Sequence, residues 1–313
     1  MKRTNPKAKY PYKRKGWYQC IWKKDGIIHI GSEIRLSLPH RDFITVQWNR
    51  PEIPVIVKIT KNKITNKPFA LCTIKIVDAE KSSYTKTLGV DVGEKVLAGV
   101  SDGENQILFS SKLLRSKVRY RHKMNGSISK KQSNMQKKSR SWMKLQSARD
   151  RKKIKIGRQI EHILHSQSKN LADTAKHLKV GKVVFGDLRT LRNNKKGQSV
   201  NNNFFYGNFV DKCIYKLEAV GIASEKISEA YTSVTCPHCL IKNKLKDPQG
   251  KSLRIYRCDS CGIIMHRDIV GGVNIWKKSN SSFEVSCSSE TRSRWLNPPS
   301  SVKPKCCLLS NHG

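Results

Sequence analysis

Four cysteines, Cys236, Cys239, Cys258 and Cys261, fall into two C-x2-C pairs separated by eighteen residues. Each pair can turn both sulfurs toward one centre, and two such turns complete a tetrahedral shell with Zn–S bonds of about 2.3 Å. Four thiolates leave no open coordination position, so the expected zinc ion holds a fold together and does no chemistry. His238 lies inside the first pair and is a competing donor, but four cysteines already suffice. Redox-active or empty cysteines are the plainer alternative.

Three acids stand out by position. Asp91 ends the apolar run KTLGVDVG, Glu229 follows the short run ASEKIS, and Asp268 opens the last predicted helix. A carboxylate at the end of a buried strand is costly unless it is paired. A divalent cation pairs several at once, and Mg²⁺ prefers hard oxygen ligands of this kind. Two such ions about 4 Å apart, bridged by carboxylates, activate water and stabilise the leaving oxygen in phosphodiester hydrolysis. Taken singly, each acid has a simpler role: helix N-capping for Asp268, a turn for Asp91, a solvated surface for Glu229.

The elements that must position these groups can be read from apolar periodicity. Residues 17–80 read as five or six short strands of a small barrel-like unit, with a hairpin at Asp25-Gly26 and a connection between Pro51 and Pro54. From Thr87 the pattern changes to KTLGVDVG, with VLAGV and QILFSS pairing across the turn 101–105. Residues 111–178 read as helical, KVVFGD (182–187) as a buried strand, 192–203 as a polar loop and 207–220 as an amphipathic helix. Asp268–Lys277 reads as a closing helix, and the Ser/Pro-rich 279–313 as a disordered tail.

Charge narrows the function classes. The 313 residues hold 62 Lys+Arg against 23 Asp+Glu, a net charge of +39. Self-repulsion of that size destabilises a compact state unless a polyanion neutralises it, and phosphate backbones are the usual partner. Between Lys112 and Arg158 there are eighteen Lys/Arg, and Asp150 is the only acid. Mean hydropathy is −0.58, no apolar run approaches the roughly 18 residues that span a bilayer, and the basic first residues lead into no secretory signal. Ten cysteines, four paired and six scattered, in a chain of this length argue for a reducing cytosol rather than a disulfide scaffold. The expectation is a cytoplasmic, nucleoid-associated protein with no membrane partner.

The ordered motifs LGVDVGEKVLAGVSDG, YTSVTCPHC, RCDSCG and HRDIVGGVNI resemble the RuvC core and zinc ribbon of the TnpB family, transposon-encoded RNA-guided DNA endonucleases related to the type V CRISPR effectors. The resemblance covers about residues 87–278, and the N-terminal strands resemble part of that family's wedge domain. It implies an α/β fold, a ribonuclease-H-like RuvC core with a zinc-ribbon insertion behind a small β-barrel-like wedge unit. The boundaries it implies are a partial wedge (1–86), a nuclease core (87–230) with a basic helical insertion (about 111–178), the ribbon (231–264), a last RuvC segment (265–278) and the tail (279–313). Partners would be a guide RNA and the target DNA, with the basic helices following a guide–target heteroduplex read by shape. Structural Zn²⁺ and catalytic Mg²⁺ are the implied cofactors. Asp91 matches the family's first catalytic aspartate and Asp268 its last. Asp187 stands where the common form of the family has Glu. Glu229 lies where some subgroups carry a relocated glutamate and is the preferred third ligand, with Asp187 the alternative. Relatives carry a longer N-terminal region than precedes Asp91 here, so a truncated or nuclease-inactive RNA-guided DNA-binding protein is the alternative function.

Overall fold

The chain divides after Val77 into two units. The computed structural model describes residues 19–62, 67–75, 79–187, 205–243 and 254–280, and the backbone of 293–296 and 307–308. The polar loop expected at 192–203 lies outside the described residues, as does most of the expected tail.

In the first unit two three-stranded antiparallel sheets form, and they do not close into the expected barrel. Strands β1 (Cys20–Lys23), β5 (Ile56–Lys61) and β6 (Pro68–Thr73) make one sheet in the order β1-β5-β6. Strands β2 (Ile27–Ile30), β3 (Glu33–Ser37) and β4 (Phe43–Gln47) make the other. The hairpin expected at Asp25-Gly26 is absent. Residues Lys24–Gly26 instead form one 3-10 turn, and β1 pairs with β5 rather than β2. A two-residue hairpin needs a positive φ in its turn, and Gly31 supplies it, at +57°, between the paired residues Ile30 and Glu33. The buried core of this unit is small: Ile27, Ile34, Leu36 and Val57.

The second unit is built on a central sheet. Strands β7 (Lys86–Val92), β8 (Val96–Ser101) and β9 (Gln106–Ser110) form an antiparallel meander. Strands β10 (Val180–Gly186) and β11 (Ala223–Ile227) add in parallel beyond β7. The segment expected as a disordered tail contributes two further strands, β14 (Ser293–Leu296), parallel to β9, and β15 (Cys307–Leu308). The backbone groups along the outer side of β9 would otherwise be an open edge, which is what a returning strand can pair with.

Helices cover one face of the sheet. Helix α1 (Lys112–Ser133) and helix α2 (Arg140–His177) form the predicted basic hairpin, and α3 (Tyr206–Glu218) packs on α2. Their apolar stripes, including Leu114, Ile160, Leu164, Leu171, Phe209 and Leu217, join Leu88, Val90 and Phe185 in the main core. Helix α4 (Arg267–Ser279) lies on the other face, where Ile269, Val270 and Val273 pack with Val96, Leu108 and the cysteines. Alternation along β7 sends Leu88 and Val90 to the first face, so Gly89 and Asp91 point toward α4. Between β11 and α4 the chain makes the cysteine segment, with the two-stranded hairpin β12 (Ile255–Arg257) and β13 (Ile264–His266). No helix among the described residues is long and apolar enough to cross a membrane.

Candidate functional site

The four thiols come together as their spacing predicts. Cys236 Sγ lies 3.6 Å from Cys261 Sγ, and Cys239 Sγ lies 3.4 Å from Cys258 Sγ. All four sulfurs are within 4.8 Å of one another, and bonds of about 2.3 Å at tetrahedral angles would hold them about 3.8 Å apart. The two turns that present them are near copies. Cys236 N–H donates to Ile241 O and Leu240 N–H to Cys236 O, while Cys258 N–H donates to Ile263 O and Gly262 N–H to Cys258 O. Burial opposes ionisation of Cys258, yet the backbone N–H groups of Cys261 and Ser260 and the neighbouring thiols pull its pKa down to about 6. Behind the cluster, buried Asn243 donates to the Tyr256 hydroxyl at 2.6 Å and accepts from Asp259 N–H at 3.2 Å. This donor set and geometry fit one zinc ion. His238 supplies only its backbone N–H, to Cys236 Sγ at 3.4 Å.

The acids converge on the α4 face of the sheet. Asp91 leaves β7 there, and its Oδ2 would lie 2.1 Å from a Cβ built on Gly271 of α4. A Cβ on Gly99 of β8 would sit 2.0 Å from Asp268 O, and one on Gly272 would sit 2.5 Å from Gly99 O. The helix can approach the sheet this closely only because these positions lack side chains. That approach brings Asp268, in its first turn, beside Asp91. Glu229 arrives from beyond β11, its Oε2 2.8 Å from where a Gly186 Cβ would stand, so it faces the end of β10. Asp187 follows that strand directly and donates its backbone N–H to Ile227 O at 2.7 Å.

Electrostatics record the crowding. Burial, and then the charges of Asp268 and Glu229, push the Asp91 carboxyl up to about 8, with Arg267 offsetting only part of the shift. Burial, and then the charge of Asp187, pushes Glu229 up to about 7. Carboxylates gathered closely enough to raise one another's pKa fit a hard divalent ion. The gathering is looser than that of the thiols, which are the one group of three or more such ligands among the described residues with all donor atoms within 4.8 Å.

Several contributors were not legible in the sequence. Arg254, just before β12, pairs with Asp268 Oδ2 at 3.2 Å. His266, to which the sequence assigned no role, caps α4 by accepting the Asp268 N–H on Nδ1 at 3.3 Å. Only Gly271-Gly272 gave a signal. Two glycines inside a helix cost about 1 kcal/mol each relative to Ala, which points to a packing reason.

An α/β core of the ribonuclease-H-like RuvC kind, with a four-cysteine ribbon set between Glu229 and Asp268, is the class that fold and site define. A family model described as "Probable transposase" (OrfB_IS605) matches residues 63–192, and one described as "Cas12f1-like, TNB domain" matches residues 206–275. A TnpB-like protein of Methanocaldococcus jannaschii is 27% identical over 269 residues, covering 80% of this chain and 91% of that protein. The chain is thus similar to TnpB-like proteins over most of its length. Among solved structures, a Cas12f1–sgRNA–target DNA complex superposes with a TM-score of 0.60 at 14% identity, covering 88% of this chain and 67% of that one. A CRISPR-Cas12f ternary complex does so with a TM-score of 0.52, also at 14% identity, covering 91% and 68%. At that identity the likeness is one of fold.

Proposed function

We propose that this protein is an RNA-guided DNA endonuclease of a transposable element, in which Asp91, Glu229 and Asp268 hold Mg²⁺ and Asp187 stands beside Glu229. The observation that carries the reading is the convergence of these acids on one face of the sheet, with Asp91 and Glu229 both held far above the ordinary carboxylate range. Divalent ions there would activate water and stabilise the leaving oxygen of a phosphodiester. The chain's own residues supply three things. Asp91 and Asp268 face each other across the glycine-lined contact, Arg254 orients Asp268, and Glu229 closes the third side.

Guide RNA and target DNA are the proposed partners, and a nucleoid-associated location goes with them. Support comes from the eighteen Lys/Arg between Lys112 and Arg158, which lie on α1, α2 and their connection, and from a fold neighbour solved in complex with sgRNA and target DNA. A nuclease-inactive, RNA-guided binder is the second reading. It is favoured by the looser spacing of the acids and by Asp, rather than Glu, at 187.

The test is cleavage of a plasmid library by protein copurified with its own RNA. Mg²⁺-dependent cuts that vanish in Asp91→Ala support the nuclease; retained binding without cutting supports the second reading. Glu229→Gln is expected to abolish cutting and Asp187→Asn to weaken it. Unimpaired cleavage by Glu229→Gln removes Glu229 from the metal-holding set.

A further inference from the structure

Helix α4 carries Asp268 in its first turn, and further along it presents three side chains to the loop that carries Glu229. Asn274, 6% exposed, donates from Nδ2 to Thr232 O at 2.6 Å and to Thr235 O at 2.8 Å. Lys277 donates to Pro237 O. Lys278 donates to Ala230 O at 2.7 Å and to Ser228 O at 3.3 Å. Positions 274, 277 and 278 are related by i, i+3 and i+4, so they share one side of the helix.

The carbonyls that Lys278 takes are those of the residues on either side of Glu229. The Glu229 carbonyl is itself occupied, by Thr232 N–H at 3.1 Å and Thr232 Oγ1 at 2.8 Å. Tyr231, between them, sits at a φ of +64°, a left-handed conformation that a non-glycine residue keeps only where its surroundings hold it. Every carbonyl from Ser228 to Ala230 therefore has a donor, and the donor for two of the three is one ammonium on α4.

We propose that Lys278 is a positioning residue for Glu229. Its ammonium clamps the peptide on both sides of that carboxylate, so the helix that carries Asp268 in its first turn also sets where Glu229 stands. The ten residue steps from Asp268 to Lys278 are about 15 Å of rigid helix, and Asn274 anchors the rest of the loop from the same helix. Lys278 is exposed, so the competing role is a contact to a nucleic-acid phosphate. The inference rests on the reading of Glu229 as a metal-holding group.

The test compares Lys278→Met, Lys278→Arg and Glu229→Gln in the full chain with its copurified RNA. Mn²⁺ binding is followed by electron paramagnetic resonance, with Asp91→Asn as the baseline for ions held elsewhere. Lys278→Met should weaken Mn²⁺ binding about tenfold, as loss of a group orienting a metal ligand does. It should speed amide exchange at Thr232 and leave zinc content at one per chain. Lys278→Arg should restore both. Unchanged Mn²⁺ affinity and exchange in Lys278→Met, with only DNA retention weakened, would overturn the inference in favour of a phosphate contact. Wild-type Mn²⁺ affinity in Glu229→Gln would instead remove the reading of the site and this inference with it.

Discussion

The thiol cluster and the carboxylate cluster are built around the same helix and differ in almost every physical respect. The thiols form a closed shell of soft donors, braced by two near-identical backbone turns and by Asn243. The acids form an open set of hard donors, collected from β7, the ends of β10 and β11, and α4, whose mutual repulsion Arg254 and Arg267 offset only in part. A saturated tetrahedral site suits an ion that stays; an open, charged one suits ions that must also touch substrate. On the proposed function, the closed cluster would carry stability and the open one chemistry.

The largest expected effect breaks the first cluster. Structural zinc in small ribbons contributes on the order of 10 kcal/mol to their folding. Cys258→Ser should therefore lower zinc content from one per chain to none by elemental analysis. Because Lys277 and Asn274 join α4 to the segment from Thr232 to Pro237, the same variant should lose cleavage as well. A protein that kept full zinc would sink the four-cysteine assignment.

Breaking the second cluster should do the opposite. Asp91→Asn is expected to cut cleavage by about 10³-fold or more, since several kcal/mol of metal-borne charge stabilisation is lost. It should retain zinc and, above about pH 8 where Asp91 is ionised, be more stable than the parent without Mg²⁺, because a neutral amide ends the repulsion with Asp268 and Glu229. A thermal melt in EDTA with zinc already bound reads the stability change; a lower melting temperature would contradict the charge argument.

The same repulsion sets a pH dependence. Asp91 is raised to about 8 and Glu229 to about 7 in the folded state, against unfolded values of about 4. An acid whose folded pKa is raised stabilises the fold most below its unfolded pKa and loses that contribution as pH rises through the folded one. Without Mg²⁺, the second unit should thus lose a few kcal/mol between about pH 4 and pH 8. Saturating Mg²⁺ should flatten the upper part of that decline. Denaturant melts across that range, with and without Mg²⁺, measure both slopes.

How far the two clusters were legible follows from the same contrast. The cysteines announce themselves because a closed shell demands a fixed local spacing, and β7 to β9 because they are short apolar runs between turn residues. Asp91 and Asp268 were legible through strand and helix ends, and more firmly through the family motifs. What could not be read depends on proximity between distant segments. Arg254 meets Asp268, Lys278 meets the carbonyls around Glu229, and Gly99 meets Asp268 only once α4 lies on the sheet. The first unit misled for a local reason. Asp25-Gly26 and Gly31-Ser32 both resemble hairpin turns, but only Gly31 adopts the positive φ, so β1 was free to leave for β5.

The smallest effect sharpens the comparison within the thiol cluster itself. Its two turns share one hydrogen-bond pattern, and the residue four after the first cysteine of each pair is left-handed: Gly262 at a φ of +73° and Leu240 at +62°. A left-handed conformation costs an L-residue roughly 1–2 kcal/mol, while glycine brings an entropic cost of about 0.5–1 kcal/mol. Leu240 is 64% exposed, so its side chain adds little packing to set against the exchange. Leu240→Gly should therefore stabilise the zinc-loaded ribbon by about 0.5–1 kcal/mol, seen as slower zinc release to a chelator. Cleavage should be unchanged, because the substitution touches neither the loop around Glu229 nor α4. Faster zinc release would mean that exposed Leu240 packs against something the backbone argument leaves out, and would end the equivalence of the two turns.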